Sequence, residues 1–400
     1  MKKLFAIMLT LAMSVATMGM LTACGNKNDG NVIKIGVFEA QTGANGAGAM
    51  KEVLGIRYAN SVKNTVVIDG KEYKIELVES DNQSDDNQAI SAATRLVQAK
   101  VSVVLGSYGS SVSMKAGATF KQAKIPAIGC SCTNPGVTNT NDYYFRVCFT
   151  DDQQGAYMAD YAKKAGFKKV LTLVQNGDSY SQGLVLNFEQ NFTGKNANGE
   201  DVTFTQQVYQ STTTDFSSYI STAKSGGYDA IFAPSSVVVA TALLAQAKNN
   251  DYNGTFMAGD TWDDVSILNG VNNGGAEGYV CSTFLLDVEN NEKAKTFADN
   301  YLAWVKENNY TEINGNDTDV AAVTACGYDA YMTAVAAIEK AGSAKGIDVR
   351  NAMAAEGFEF QDTILTGGVK FTATGDLPLE IAKQKLSKKK VVGNKLVVLA

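Results

Sequence analysis

The chain has 400 residues, 35 of them basic and 41 acidic, for a formal net charge of −6, and it contains no histidine. Without histidine there is no imidazole zinc site and no triad that uses imidazole as its base. An acidic chain with no dense basic face is a poor partner for nucleic acid. In chain order, Lys2 and Lys3 come first, residues 4–20 carry no charge, and Leu21-Thr22-Ala23-Cys24 leads into the polar run 25–30. A basic start, an apolar run and small residues before a cleavage point describe a secretory signal. The run is short for a membrane span, which needs about 20 apolar residues.

Leu-Thr-Ala-Cys at the end of such a run resembles the lipobox of bacterial lipoproteins. The resemblance implies a signal peptide over 1–23, a diacylglyceryl thioether on Cys24 to which many species add an N-acyl chain, and a flexible tether over 24–31. Two or more acyl chains anchor stably where one holds only marginally. The remaining body of about 377 residues is long enough for two domains, and 33 basic against 41 acidic residues leave it at −8.

Residues 32–38 form a short apolar run, glycines punctuate 43–48, and 49–62 has helical periodicity. A strand over 73–78, a helix over 85–100, a strand over 101–105, a helix over 111–123 and a strand over 125–129 follow. The rhythm resumes with a helix over 153–165, a strand over 170–174, a helix over 183–192 and a strand over 203–208. Next come a helix over 216–224, a strand over 230–233, a helix over 237–249 and a strand over 255–258. A strand near 279–283 and helices over 293–307 and 320–341 complete the pattern. Strands alternating with helices of about 10–15 residues predict βαβ units and parallel sheets. Ligands then sit outside the carboxyl ends of the strands. The expected fold is α/β, with two doubly wound lobes joined by a hinge of three crossings. Lobe one takes 32–149 and 284–378; lobe two takes 150–283 and 379–400.

Beyond Cys24 there are five cysteines, Cys130, Cys132, Cys148, Cys281 and Cys326. At least one must stay unpaired within the chain. Cys130-x-Cys132 has no second pair at zinc spacing, so these read as small buried hydrophobes. The loop Gly43-Ala44-Asn45-Gly46-Ala47-Gly48 is G-x-x-G-x-G, whereas a dinucleotide loop needs G-x-G-x-x-G. Residues 81–87 look calcium-like, yet the twelfth loop position is Ala92 rather than Glu. No G-x-S-x-G elbow occurs. No metal or cofactor is expected.

Two strand-to-helix junctions carry more information. The stretch 105–111 ends a strand and opens a helix, where free N–H groups and a hydroxyl suit a carboxylate; the same serines also serve as ordinary N-caps. Ser131 and Thr133 lie just beyond the next strand, on the same edge of a parallel sheet.

Over 32–380 the sequence resembles the branched-chain amino-acid type of periplasmic binding protein. The stretches that carry the likeness are 33–37, 104–107 with Ser110-Ser111, 125–128 with 131–135, Arg146 with Asp151 and Gln154-Gly155, 178–183, 215–217, 259–263 and 276–278. The resemblance implies a type I periplasmic-binding fold. In it Ser110, Ser131 and Thr133 hold a ligand's α-carboxylate and touch its ammonium, and Tyr180 closes over the ligand from the second lobe. Asp260, standing for a Glu, pairs with the ammonium, and Asp151 is an acid that in some relatives also serves the amine. It further implies an exported, membrane-anchored, monomeric protein that captures an aliphatic or branched-chain amino acid. An ABC permease and its ATPase subunits would receive that solute. Departures fall at Gly48 and Ser236, where relatives carry aromatics, and at Ser84 and Gly109, where a disulfide is absent; a wider or more polar pocket is expected. Trp262 is expected at the cleft edge and Trp304 in the other lobe. Two other readings use the same residues: a sensing module for a membrane receptor, or an extracellular enzyme with carboxylate chemistry at Asp260, Asp263 and Asp264.

Overall fold

The computed structural model describes residues 31–271, 274–316 and 318–399. Cys24 and the leader lie outside the described residues. The first lobe begins with β1 (Val32–Glu39), α1 (Gly46–Val62), β2 (Thr65–Ile68) and β3 (Lys71–Asp81). α2 (Asp86–Gln98), β4 (Val103–Leu105), α3 (Ser110–Gln122), β5 (Ala127–Gly129) and β6 (Tyr144–Arg146) complete its sheet region. The sheet order is β2-β3-β1-β4-β5-β6. β1, β4, β5 and β6 run parallel. Their side chains are nearly all buried, as expected for strands covered by helices on both faces.

The second lobe follows with α4 (Asp151–Lys164), β7 (Lys169–Gln175), α5 (Ser179–Asn191), β8 (Thr203–Tyr209) and α6 (Ser217–Ser225). β9 (Ala230–Phe232), α7 (Val237–Asn249), β10 (Thr255–Ala258), α8 (Val265–Gly270) and β11 (Val280–Phe284) come next. The chain then returns to the first lobe for α9 (Glu292–Glu307), α10 (Thr311–Asn314), α11 (Ala322–Ala341) and α12 (Gly346–Ala354). A two-stranded pair, β12 (Glu359–Phe360) and β13 (Val369–Lys370), precedes α13 (Leu379–Lys385). Finally β14 (Leu386–Val392) and β15 (Lys395–Val398) add to the second sheet, whose order is β15-β14-β11-β10-β9-β7-β8. β14 and β15 are antiparallel additions to an otherwise parallel set.

The chain therefore passes between lobes three times: between β6 and α4, after β11, and between α13 and β14. Ala382 of α13 packs in the first lobe's core with Phe297, Tyr301 and Val349, so the last passage falls at Lys385–Leu386, later than the 378/379 boundary expected from sequence. Burying each large apolar side chain of that core contributes about 1.5–3 kcal/mol.

Both sheets end in hairpins that the alternation pattern did not reveal. Asp69-Gly70 joins β2 to β3 and Gly393-Asn394 joins β14 to β15, all four residues at positive φ. Two-residue turns of this hand match the twist of the strands they join. No helix among the described residues is long and apolar enough to cross a membrane.

Candidate functional site

The loops that leave the carboxyl ends of β1, β4 and β5 face those that leave β7, β9 and β10. Several hydrogen bonds cross between the lobes. Ser179 N–H donates to Ser111 Oγ at 2.8 Å, Ser111 Oγ donates to Asp178 Oδ1 at 3.2 Å, and Asn134 Nδ2 donates to the Ser179 carbonyl at 2.7 Å. Deeper in, Lys51 of α1 forms an ion pair with Asp264, which also caps α8; both side chains are buried. The lobes are closed on each other.

On the first-lobe side, Ser110 opens α3 and its Oγ accepts from Asn134 N–H at 3.2 Å, which leaves the hydroxyl proton for the cleft. Ser131 donates its hydroxyl to Glu52. Thr133 is buried and its hydroxyl has no hydrogen-bond partner in the protein. Asp151, the first residue of α4, is fixed by its backbone, whose N–H reaches the Thr133 carbonyl at 2.9 Å. Both Asp151 carboxyl oxygens are buried without a partner. Burial drives that carboxyl well above its usual range, opposed by the nearby Thr133 hydroxyl.

On the second-lobe side, Asp178 caps α5 and so orients Tyr180. The Tyr180 hydroxyl donates to Asp260 Oδ1 at 3.1 Å, and Gln154 Nε2 donates to the same oxygen at 2.7 Å. Both donors converge on Oδ1, so Oδ2 is the atom left for a ligand. Burial lifts the Asp260 carboxyl to about 6, and the Gln154 and Tyr180 hydrogen bonds hold it from going higher. This crowding requires a glycine at 259, because a Cβ there would collide with the Tyr180 hydroxyl and Gln154 Oε1.

The neighbouring acids are otherwise engaged. Asp263 takes Lys389 Nζ at 2.9 Å on both oxygens and the Thr283 hydroxyl as well, and Asp264 is held by Lys51. Of the three acids considered for carboxylate chemistry, Asp260 alone has no cationic partner.

Ser110 and Tyr180 line an interlobe cavity of about 290 Å³, with Asn45, Tyr108, Ser236 and Thr261 among its other walls. Ser131, Thr133, Asp151 and Asp260 are enclosed beyond it. The space expected from the missing aromatic at Gly48 is filled: a Cβ there would lie 2.7 Å from the Tyr108 ring and hydroxyl. Tyr108, two residues before Ser110, takes over the aromatic's place. Ser236 caps α7. A larger groove of about 430 Å³ lies over α1 and α9, lined by Tyr58, Phe297 and Tyr328; it has no convergent buried polar atoms.

Trp262 is not at the cleft edge. A single 3₁₀ turn over Asp260–Trp262 sends the two side chains opposite ways. Trp262 is 0 % exposed in the second lobe's core, where it donates to Ser235 Oγ at 3.0 Å. Trp304 packs against the first lobe's core, as expected. The five described cysteines are free and buried.

Sequence reasoning missed Glu39, Glu52 and Lys51. The signal was present in Lys51-Glu52, a charged doublet inside the otherwise apolar stretch 49–56. Glu39, Glu52 and Cys130 bring candidate metal-ligand atoms within 4.8 Å of one another. Burial holds the Cys130 thiol well above its ordinary range, hence protonated, which disfavours a metal there.

Residues 32–379 match the model of a family described as periplasmic binding protein. A leucine-binding protein from Thermotoga maritima is 28% identical, with a TM-score of 0.78, and the match covers 92% of this chain and 98% of that one. A branched-chain amino acid transporter substrate-binding protein from Streptococcus pneumoniae, solved with isoleucine, is 25% identical with a TM-score of 0.78 over 92% and 99% of the two chains. An amino acid binding protein from Pseudomonas aeruginosa is 35% identical over 155 residues, 38% of this chain and 41% of that protein, so the matched stretch spans less than half of that relative. With a family model covering most of its length and the two-lobed fold on which that family is built, the chain belongs to the periplasmic binding proteins.

Proposed function

We propose that this protein captures an amino acid between its two lobes and delivers it to an ABC importer. The observation that carries the reading is Asp260: a buried carboxylate with both protein donors on one oxygen and no cation beside it. An ammonium is the natural complement, since a buried charge without a partner is strongly unfavourable. Across the cleft, the Ser110 hydroxyl and the N-terminal turn of α3 suit the ligand's carboxylate. Thr133 and Asp151 add unpartnered polar atoms beside them. The engagement of Asp263 and Asp264 by lysines supports binding rather than carboxylate-driven turnover.

Two similar solved structures support the choice of solute class, one of them a leucine-binding protein and the other solved with isoleucine. We take an aliphatic or branched-chain amino acid as the ligand, and lipid on Cys24 as the anchor that keeps the protein at the extracytoplasmic face of the membrane. A thermal-shift and calorimetric screen of the twenty amino acids on residues 25–400 tests the ligand; saturable binding of at least one is expected, and none would overturn the reading. Cys24→Ala should abolish labelling by a fatty-acid analogue; unchanged labelling would remove the anchor.

A further inference from the structure

Two carboxyl groups lie inside the first lobe with no cation beside them. Glu39 ends β1, Glu52 sits in the second turn of α1, and both are fully buried. Glu39 Oε2 accepts from the Tyr108 N–H at 2.8 Å and from the Ser107 hydroxyl at 3.1 Å. Glu52 Oε1 accepts from the Ser131 hydroxyl. The two remaining oxygens, Glu39 Oε1 and Glu52 Oε2, have no partner in the protein. Carboxyl oxygens of the two residues lie within 4.8 Å of each other.

The ionisable groups facing the pair are the thiols of Cys130, Cys132, Cys148 and Cys326, the phenols of Tyr108 and Tyr144, and Asp260 across the cleft. None is cationic. Lys51 is engaged by Asp264 and Arg146 by Asp376. Two ionised carboxylates in this dry site would repel each other, and each would keep an orphan acceptor. One proton between them removes both difficulties.

We propose that Glu39 and Glu52 share a single proton, and that the pair fixes the Ser131 hydroxyl as a hydrogen-bond acceptor toward the ligand. Ser131 has one hydroxyl proton, and Glu52 takes it. What Ser131 offers the cleft is its lone pairs, so it receives from an ammonium instead of donating to a carboxylate. The pair also ties the loop after β4, through Ser107 and Tyr108, to the loop after β5, through Ser131. Burial pushes Glu39 up to about 8 and Glu52 well above its usual range, in keeping with a retained proton at neutral pH. The Ser131 half rests on the amino-acid reading above; the shared proton does not.

The test has two arms. Infrared spectra of ligand-free protein labelled with [13C]glutamate should show, at pH 7, the isotope-shifted carbonyl stretch of a protonated carboxyl. Glu52→Gln supplies an amide N–H in place of that proton, so the band should vanish while the fold is retained. Absence of the band in the wild type would overturn the proposal, whatever the variant does. So would its persistence in Glu52→Gln, or a stoichiometric divalent ion in the purified protein that the variant lacks. For Ser131, calorimetry compares L-leucine with 4-methylpentanoate, which lacks the amine. Ser131→Ala should weaken L-leucine about tenfold or more, the loss of one charge-assisted hydrogen bond, and leave 4-methylpentanoate unchanged. Equal weakening of both would make Ser131 a carboxylate donor and overturn that half. If L-leucine fails to bind the wild type, the choice of a branched-chain ligand is at fault, the Ser131 comparison passes to the amino acid that does bind and its deaminated form, and the infrared arm still decides the shared proton.

Discussion

The two walls of the cleft use buried acids in different ways. In the first lobe Glu39 and Glu52 face each other, with Ser131 as their outlet. In the second, Asp263 and Asp264 are each matched with a lysine, and Asp260 is held by donors on one oxygen only. A buried carboxyl is costly by itself, and its role follows from what offsets that cost. A second carboxyl yields a shared proton, a lysine yields a latch, and an incomplete set of hydrogen bonds leaves a charge that a ligand can complete.

The largest effect is expected at the latch, because Lys51 and Asp264 belong to opposite lobes. Lys51→Met leaves Asp264 buried and unpaired when the lobes are closed, and removing one partner of such a pair costs about 3–5 kcal/mol. That cost disappears if the lobes part, so small-angle scattering of ligand-free Lys51→Met should show a larger radius of gyration than the wild type. Adding Asp264→Leu should restore closure. An unchanged radius in the single variant would mean that the pair does not bias the lobes.

A smaller effect is expected at Gly259, which allows Tyr180 and Gln154 to meet on Asp260. Gly259→Ala should displace them at a cost of about 1–3 kcal/mol, seen as a lower melting temperature with weakened ligand binding. A variant with wild-type melting and affinity would show that the convergence on Oδ1 is not held by this close approach.

The pH dependence separates the walls further. Asp260 has its carboxyl raised from an ordinary 3.8 to about 6 by burial. An ammonium needs it ionised, so affinity should be level above pH 6 and fall about tenfold per unit below it. Stability of the ligand-free protein moves the other way. The folded state keeps a proton that the unfolded chain releases near pH 4, so this group's contribution to stability declines as pH rises from about 4 to about 6. Calorimetry and thermal melting between pH 4.5 and 7.5 read the two trends. An affinity that stays flat to pH 4.5 would remove Asp260 from the amine site.

Much of the fold was legible. α7 and β10 fall where periodicity placed them, residue for residue, because a long apolar stripe and a β-rich run each admit one period. The hairpins were missed although Asp69-Gly70 and Gly393-Asn394 are turn dipeptides; each places one edge strand, β2 or β15, beside a partner that is itself partly exposed, which blurs the alternation. The cleft was legible only in part. Asp260 and Tyr180 are 80 residues apart and meet through sheet topology, which no local pattern encodes. Glu52 was missed for a different reason: a charge on a helix reads as a solvent face, its apolar neighbours signal burial only weakly, and the fold shows that both faces of α1 are covered. Trp262 was misplaced because two residues of sequence were taken as proximity, whereas a 3₁₀ turn separates the directions.

The most direct test of Asp260 as the amine partner is a calorimetric cycle of two proteins and two ligands. Wild type and Asp260→Asn are each titrated with the tightest-binding amino acid and with the same compound lacking its amine. Truncating one partner of a buried charge pair costs about 2–5 kcal/mol, so Asp260→Asn should weaken the amino acid roughly thirtyfold or more and leave the deaminated compound within about threefold. Loss of less than about threefold for the amino acid, or equal losses for both compounds, would contradict the assignment.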